Sequence, residues 1–494
     1  MRPFEPSDIQ GNVVRGYDLP HACYLHAAVT GSPADAVALL RQLGTHVTTA
    51  ADQAEWLARR RATVNVSFTS KGLAQFGLTP GEVGSWFPPE FVAGMACRSE
   101  TALGDADRNV PAYWEWQNFR PDLLITVHAP DPATLDRKVA ELSDATASAG
   151  AHLELQYAST IESKRGRSRR EHFGFTDGIS QPPLDTGSPL TANPIGGLPL
   201  AGGGWAPVPA GEFILGLPDL DEDEPALPCP ALMHNGTYLV YRKIEQHVGA
   251  FQEWARAAGA SAAGQMIDAD PSAAAEIIMA KLVGRHKDGR PLVPAASPLG
   301  SLPSNNFRYE DDPYGVQCPL GSHIRRANPR DALGFDGALV NRHRLIRRGM
   351  PYGTPYEEGA ADTDRGLIFV AYSGSIARQF EFIQREWLND GDVLGIGHNT
   401  DPIAGTSAEP ERFLVPQATR SVLFDIRADR LSQFVQVRWG EYFFQPGLAG
   451  LTWLCERGDE VSRHGSGSGS RADHETAQSA TAAGSPWYDP GGTG

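Results

Sequence analysis

The chain has 494 residues, of which 41% are hydrophobic and 21% are charged. This is the composition of a globular protein with room for two or three domains, and it excludes a fully disordered chain or a fibrous repeat. The formal net charge of −16 repels nucleic acid and anionic lipid, so we expect no nucleic-acid partner.

The N-terminal segment and the cysteines indicate the compartment. The chain begins without the apolar stretch of a secretion signal, and no run of about 18 apolar residues, the length that spans a membrane, occurs in it. The five cysteines are far apart and form no CxxC pair, which argues against a disulfide framework, a zinc knuckle or an iron–sulfur cluster. We therefore predict a cytoplasmic protein without membrane contact.

The first third of the chain alternates between β-rich and helical segments. The pattern predicts strand, helix, strand, strand, helix, strand, over His21–Thr30, Pro33–Arg61, Ala62–Thr69, Leu123–His128, Pro132–Ser148 and Ala151–Ala158. This order is that of a ferredoxin-like unit.

A second round of similar segments follows a Gly- and Pro-rich region. Strands are predicted at Gly236–Tyr241, Leu367–Tyr372 and Phe434–Phe444, and helices at Val248–Ala258 and Ser375–Trp387. We infer an α+β fold with two ferredoxin-like domains built on antiparallel sheets. The predicted division is a first domain at 1–190, a loop or linker at 191–235, a second domain at 236–458 and a flexible Gly/Ser/Ala/Thr-rich tail at 459–494.

One aspartate lies in the segment HFGFTDGISQPP, which runs from His172 to Pro183. Asp-Gly is a common turn dipeptide, so the residues alone leave a plain turn role for Asp177 open. Gly178, however, allows the backbone to approach a bulky planar ligand, and Phe175 can form the wall of a dry pocket. The segment is therefore a candidate ligand-binding loop with one acidic group.

One histidine lies in the segment CPLGSHIRRANPR, residues 318–330. Any single histidine is more often a surface or core residue than a metal ligand. In this context a neutral imidazole of His323 could reach inward, while Arg325 and Arg326 could meet carboxylates. A haem offers both an iron ion and two carboxylates.

Four arginines lie within seven residues of the segment NRHRLIRRGMPYG, at Arg342, Arg344, Arg347 and Arg348. Such clusters are commonly solvated faces or ion-pair partners. Neither periodicity nor spacing shows that any of them converges with Asp177 and His323.

Together these segments resemble the dye-decolourising, or DyP-type, haem peroxidases. The family motif GxxDG is present as Gly174-Phe-Thr-Asp-Gly178. Further matching segments follow in family order: DIQGNV near the N-terminus, HIRRANPR, IRRGMPYG, and then RGLIFVAY and FEFIQREW between Arg365 and Trp387. GxxDG alone is a weak pattern, but the ordered set is specific. It covers residues 8 to 450, and the chain is most similar to the larger cytoplasmic subgroup.

The resemblance implies a duplicated ferredoxin-like fold that binds one haem b per chain in its second half. By position, His323 corresponds to the proximal iron ligand and Asp177 to the distal acid–base residue. Arg347 corresponds to the distal arginine, and we prefer it to Arg348 because it lies three residues before Met350, the family's offset.

Three further positions follow from the same resemblance. Leu367 and Phe369 match residues that line the distal pocket, and Asp401 matches a hydrogen-bond partner of the proximal imidazole. With Phe175, Gly178 and Arg325 they complete the predicted cofactor-binding set.

The implied function is a haem-dependent peroxidase that reduces hydrogen peroxide and oxidises dyes, phenols and similar aromatic reductants. Asp177 would move the proton that O–O cleavage requires, and Arg347 would stabilise the negative charge that develops. The alternative is a haem-binding or haem-carrying protein without significant turnover. Peroxide-dependent oxidation of a simple dye distinguishes the two.

Overall fold

A computed structural model describes most of the chain. The described residues are 4–52, 61–162, 169–187, 195–200, 204–221, 225–264, 269–294, 305–358, 363–397, 399–406, 411–416, 421–427 and 433–465. The predicted tail from residue 466 onward lies outside them, as do parts of the predicted linker.

The strands are β1 (His21–Val29), β2 (Thr63–Phe68), β3 (Leu123–Ala129), β4 (Ala151–Ser159), β5 (Ile161–Glu162), β6 (Arg169–Arg170), β7 (Leu184–Asp185), β8 (Leu198–Pro199), β9 (Trp205–Ala206), β10 (Val208–Pro209), β11 (Thr237–Gln246), β12 (Ile346–Arg347), β13 (Met350–Tyr352), β14 (Gly366–Ser373), β15 (Glu411–Pro416), β16 (Ser421–Arg427) and β17 (Val435–Gln445).

The α-helices are α1 (Gly11–Val14), α2 (Pro33–Gly44), α3 (Ser70–Gln75), α4 (Pro80–Trp86), α5 (Pro89–Arg98), α6 (Pro132–Ser148), α7 (Pro230–Met233), α8 (Val248–Ala262), α9 (Pro271–Val283), α10 (His323–Ala327), α11 (Ala338–Asn341) and α12 (Leu448–Gly465). π-Helical segments occur at Ser99–Leu103, Ile376–Glu381 and Ile383–Asn389. Short 3₁₀ turns occur at Asp107–Asn109, Pro111–Tyr113, Ala210–Glu212, Phe335–Gly337 and Asp392–Leu394.

The first half of the chain forms a ferredoxin-like sheet. Its strands lie in the order β2-β3-β1-β4 and every pair is antiparallel. Helices α2 and α6 form the two crossovers, and each starts at a residue whose side chain caps it, Ser32 for α2 and Asp131 for α6, followed directly by proline. The strand pattern of the first third is therefore confirmed.

The second half repeats the arrangement. Its strands lie in the order β12-β14-β11-β17, with β13 also paired to β14, and all of these pairs are antiparallel. If β12 and β13 count together as the second strand, both halves have the order two, three, one, four. The predicted α+β fold with duplicated ferredoxin-like halves is confirmed.

The two halves share one continuous sheet. Strand β17 of the second half pairs with β2 of the first through Phe444 and Phe68 alone. At the other end of the sheet, β13 lies close to β4, so the sheet curves back towards itself. The main apolar core, which includes both joining phenylalanines, lines this sheet on either side of the seam.

The helix predicted over Pro33–Arg61 is shorter than expected. It ends at Gly44, and the next residues run beside β2 instead, where Val47 bridges Val64 and the Thr48 N–H donates to the Val64 carbonyl at 2.8 Å. Pairing with an existing strand satisfies the backbone groups that a longer helix would have paired internally. The apolar pattern alone did not show this competition.

Three other expectations require adjustment. The helix predicted over Ser375–Trp387 is present but π-helical, a pitch that apolar periodicity does not reveal. The region predicted as a linker packs into the core, with Phe213 and Ile214 fully buried. The tail predicted from residue 459 begins inside α12, because contacts such as the Arg41–Asp459 ion pair hold the helix to the fold.

Among the described residues, no helix combines the length and the apolar character that crossing a bilayer requires.

Candidate active site

The GxxDG segment forms the end of a hairpin. The Asp177 N–H donates to the Arg169 carbonyl at 3.0 Å, Arg170 bridges Thr176, and the Glu171 N–H donates to the Phe175 carbonyl at 3.1 Å. Although the prediction assigned this segment to the first domain, its contacts lie in the second half: both the N–H and the hydroxyl of Thr176 donate to the Lys287 carbonyl.

The aspartate of this hairpin is partly buried and next to open space. The Gly178 N–H donates to Asp177 Oδ1 at 2.6 Å, which orients the carboxylate. Gly178 has a φ of +75° and no heavy atom within 4 Å of where a Cβ would be, so the carboxylate is accessible from that side. Phe175 is 6% exposed and lies in an apolar cluster with Phe173 and Phe251. The predicted combination of an acid and an apolar wall is present.

The predicted proximal histidine begins helix α10. Its Nδ1 lies 3.1 and 3.0 Å from the two carboxylate oxygens of Asp401. Asp401 is fully buried and is held by a turn in which its Oδ1 accepts the N–H groups of Ile403 and Ala404 at 2.8 and 2.7 Å. Nε2 of His323 has no hydrogen-bond partner among the described residues, and the side chain is 27% exposed. One ring nitrogen is therefore fixed and the other faces open space.

The electrostatics of the His323–Asp401 pair favour an anionic carboxylate beside the imidazole. Burial raises the pKa of Asp401, but the charge and hydrogen bond of His323, followed by the charge of Arg326, outweigh burial, so that the pKa lies below its ordinary value. Burial lowers the pKa of His323, and Asp401 more than offsets this and raises it. The structure thus brings together two residues whose pairing the family resemblance implied.

The two adjacent arginines of β12 and its extension differ in their surroundings. Arg347 pairs with Ala371 of β14, so its side chain starts on the sheet face shared with Leu367 and Phe369, because alternate residues of a strand face the same side. Its guanidinium donates to the Ser180 carbonyl at 3.0 Å. Arg348 donates instead to the carbonyls of Asn12 and Val13, at 2.9 and 3.3 Å.

Leu367 and Phe369 are the two partly exposed residues of an otherwise buried stretch of β14. They are two residues apart and therefore lie side by side on one face of the sheet. The Phe369 ring packs 5.9 Å from that of Phe380. An accessible apolar face next to Arg347 is the surface expected of a pocket wall.

A cleft of about 1070 Å³, counted with its open mouth, connects Asp177 with Arg347. Both residues border it, together with aromatic side chains that include Tyr17, Tyr24 and Tyr372. The positive charge of Arg347 is also one of the influences that lower the pKa of His323. Asp177, Arg347 and His323 thus lie in one neighbourhood.

Arg325 is not brought to this neighbourhood. It is 1% exposed, its Nη1 donates to the carbonyls of Asp312 and Cys318 at 3.0 and 2.8 Å, and its guanidinium lies 4.3 Å from the centre of the Tyr309 ring. Two residues of a helix are separated by about 200° around its axis, so Arg325 and His323 point in nearly opposite directions. Its contacts hold the loop before α10.

Burial affects two other arginines: Arg344, which belongs to the predicted cluster, and Arg330, at the end of the segment that contains His323. Burial, followed by the charges of Arg330 and Arg347, lowers the pKa of Arg344, and burial likewise lowers the pKa of Arg330. Guanidinium groups stay protonated nonetheless. Arg344 donates to the Gly196 carbonyl and Arg330 to those of Asn305 and Phe307, and neither forms an ion pair with a carboxylate in the described part of the chain. The charge of neighbouring Asp331 acts against burial and raises the pKa of Arg330, whereas the influences on the pKa of Arg344 are burial and two other arginines.

Comparison with known proteins identifies the family. A family model described as Dyp-type peroxidase, C-terminal, matches residues 226–407. The multifunctional dye peroxidase DyP2 of Amycolatopsis sp. is 32% identical over 419 residues, 79% of this chain and 82% of that protein. The dye-decolorizing peroxidase msp1 of Mycetinis scorodonius is 29% identical over 90% of this chain and 86% of that protein. The solved structure of an ancestral D-type dye-decolorizing peroxidase superposes with a TM-score of 0.75 at 27% identity, covering 91% of this chain and 99% of that one.

The chain therefore belongs to the DyP-type peroxidase family. It is a peroxidase, and the members of its family are haem enzymes that use hydrogen peroxide with dye or aromatic reductants.

Proposed function

We propose that this peroxidase binds one haem b through His323 and uses Asp177 and Arg347 to break the O–O bond of hydrogen peroxide. The observation that carries the proposal is the state of the His323 ring: its Nδ1 is held by buried Asp401, its Nε2 has no hydrogen-bond partner among the described residues, and the imidazole lies within reach of the charge of Arg347. A carboxylate on one ring nitrogen fixes the tautomer in which the other nitrogen can bind a metal.

The residues present fit a haem. Besides an imidazole with a free nitrogen, the group requires apolar walls for its ring and cations for its two carboxylates. Phe175, Leu367 and Phe369 are suited to the first task. Arg330 and Arg344 are suited to the second, because neither guanidinium forms an ion pair with a carboxylate among the described residues.

When bound through His323, haem would supply a redox-active iron that could react with peroxide and accept its oxidising equivalents. The ionised carboxylate of Asp177 takes a proton from one oxygen atom of hydrogen peroxide and returns it to the other, which leaves as water. The fixed positive charge of Arg347 stabilises the negative charge that grows on the leaving oxygen. The apolar residues around Phe175 shield one side of the site from water, which strengthens electrostatic interactions there.

The ligand assignment is tested by His323→Ala. We expect the wild-type protein, purified with haem, to show a Soret band that changes on one equivalent of peroxide, and to oxidise a simple dye. The variant is expected to lose the wild-type ligation spectrum and the dye oxidation, because the substitution removes the imidazole proposed to bind the iron. Absorption spectroscopy with added haem measures both effects.

His152→Ala is the matched control, since His152 is exposed, pairs with Glu154 and lies against the Phe119 ring. It should keep the wild-type spectrum. A His323→Ala protein with a normal Soret band and ligation would refute the ligand assignment without affecting the family.

The role of Asp401 is tested by Asp401→Asn, which keeps the oxygen that accepts the N–H groups of Ile403 and Ala404 but removes the negative charge. Loss of a partner behind a metal-bound imidazole commonly costs about 10- to 100-fold in affinity or activity and lowers the basicity of the ligand. We therefore expect weaker haem retention on dilution and a more positive iron reduction potential. Exposed Asp392, changed to Asn, serves as control, and an unchanged potential in Asp401→Asn would speak against the pairing.

Two finer points stay predictions: the type of haem, which pyridine haemochrome spectroscopy identifies, and the cytoplasmic location.

A further inference from the structure

A single carboxylate closes the tip of the hairpin that carries Asp177. Glu171 Oε2 accepts the Phe173 N–H at 2.8 Å, and its Oε1 accepts the Phe175 N–H at 2.8 Å. The backbone around it is equally tight, because the Gly174 N–H donates to the Glu171 carbonyl at 2.9 Å. The side chain therefore determines the path of the chain just before Asp177.

The same carboxylate attaches the hairpin to the sheet of the second half. The Gln246 side-chain amide donates to Glu171 Oε2 at 2.7 Å, and Gln246 is the last residue of β11. The Gln246 N–H in turn donates to the Arg365 carbonyl at 2.8 Å, one residue before β14 begins. The Glu171 carboxylate, Gln246 and the Arg365 carbonyl thus form a hydrogen-bonded chain from the hairpin to the start of β14.

Glu171 interacts electrostatically with both Asp177 and His323. Burial raises its pKa, the three hydrogen bonds oppose this, and the carboxylate of Asp177 raises it further. The negative charge of Glu171 in turn favours the protonated form of His323. Glu171 therefore lies within electrostatic reach of both the distal acid and the proximal imidazole.

We propose that Glu171 is a positioning residue, which holds the Asp177 carboxyl group in place for proton transfer by tying the hairpin tip to β11. Glu171 does not contact peroxide in this role and acts only through Asp177. The inference rests on the proposed acid–base role of Asp177.

The substitution Glu171→Gln tests the idea with little change of shape. The amide has one acceptor oxygen where the carboxylate has two, so its NH₂ group would face either the Phe173 N–H or the Phe175 N–H, donor against donor. One side of the tip then loses its anchor. A displacement of about 1 Å at a catalytic group can cost up to about 100-fold in rate, and we expect a loss of roughly 10- to 100-fold.

The decisive measurement is a double-mutant cycle in the haem-loaded, full-length protein. The second-order rate constant with hydrogen peroxide is measured for wild type, Glu171→Gln, Asp177→Asn and the double variant. If Glu171 acts through Asp177, Glu171→Gln slows the wild type but adds no further loss to Asp177→Asn. Glu253→Gln, at an exposed position of α8, is the matched control and should behave as wild type.

Two outcomes overturn the proposal: a Glu171→Gln protein as fast as wild type, or an equal loss in both backgrounds, which marks a merely structural role. Failure of the proposed function is recognised separately, because Asp177→Asn itself would then react at the wild-type rate. If Glu171→Gln does not fold, Glu171→Asp replaces it in the same cycle, since it keeps the charge but is too short to reach both N–H groups.

Hydrogen exchange supplies a readout that is independent of turnover. The amides of Phe173 and Phe175 should exchange faster in Glu171→Gln than in wild type, with the Asp177 amide following. Unchanged protection at both phenylalanines would contradict the anchoring role.

Discussion

Asp177→Asn should slow the reaction with hydrogen peroxide by about 10²- to 10⁴-fold, the range in which general acid–base catalysis contributes. The amide retains the oxygen that accepts the Gly178 N–H, so the hairpin is expected to keep its shape. What it loses is the ability to take a proton and give it back. Stopped-flow measurement of the second-order rate constant with the haem-loaded protein detects the effect.

The matched control is Asp144→Asn, at an exposed position of α6 that has no contact with the site. Its rate constant should equal that of the wild type. The assignment of Asp177 would be wrong if both variants reacted with peroxide at the wild-type rate while haem binding was intact.

Arg347→Leu should lower the same rate constant by about 10²- to 10³-fold, which is the usual cost of removing one group that stabilises developing negative charge. Leucine fills the space of the aliphatic part of the side chain but carries no charge. Haem retention and the resting spectrum should change little, because Arg347 is not expected to bind the iron or hold the haem carboxylates.

Arg348→Leu separates the two neighbouring arginines. The Arg348 guanidinium donates hydrogen bonds to the carbonyls of Asn12 and Val13, so its removal leaves these buried acceptors without that donor. That costs about 1–3 kcal/mol of folding stability, seen as a lower Tm, with the peroxide rate nearly unchanged. The reverse result, a slow Arg348→Leu and a fast Arg347→Leu, would exchange their assignments.

Local chain chemistry was enough to predict most of the fold. Strands such as Leu123–Ala129 are short, apolar and bounded by turn residues, and helix α6 was predicted with the bounds it has, from Pro132 to Ser148. The prediction was wrong where a distant segment offers backbone hydrogen bonds that compete with local structure. The residues after Gly44, for example, pair with β2 and do not continue the helix. A pattern within one segment carries no information about such a partner.

The residues of the candidate site also fall into those that the sequence indicated and those that it did not. His323 and Asp401 are 78 residues apart and meet through their side chains, which only resemblance to a family could suggest. Arg325 was expected at the cofactor from its position next to His323, but helical geometry turns it away. Glu171 and Arg330 were not predicted, and Arg344 was named only as one of a cluster, because their significance depends on burial and on contacts between distant residues, which a sequence does not show.

The hairpin that carries Asp177 belongs to the first half of the chain but packs against the second half. Both halves therefore contribute residues to the proposed site. A separately expressed second half, 236–458, would contain the imidazole and the guanidinium but not the acid. During synthesis, the acid emerges from the ribosome well before the imidazole it is to face. Under the proposed assignment, full reactivity with peroxide requires both halves to have folded together, so the rate with peroxide would also report correct assembly of the whole chain.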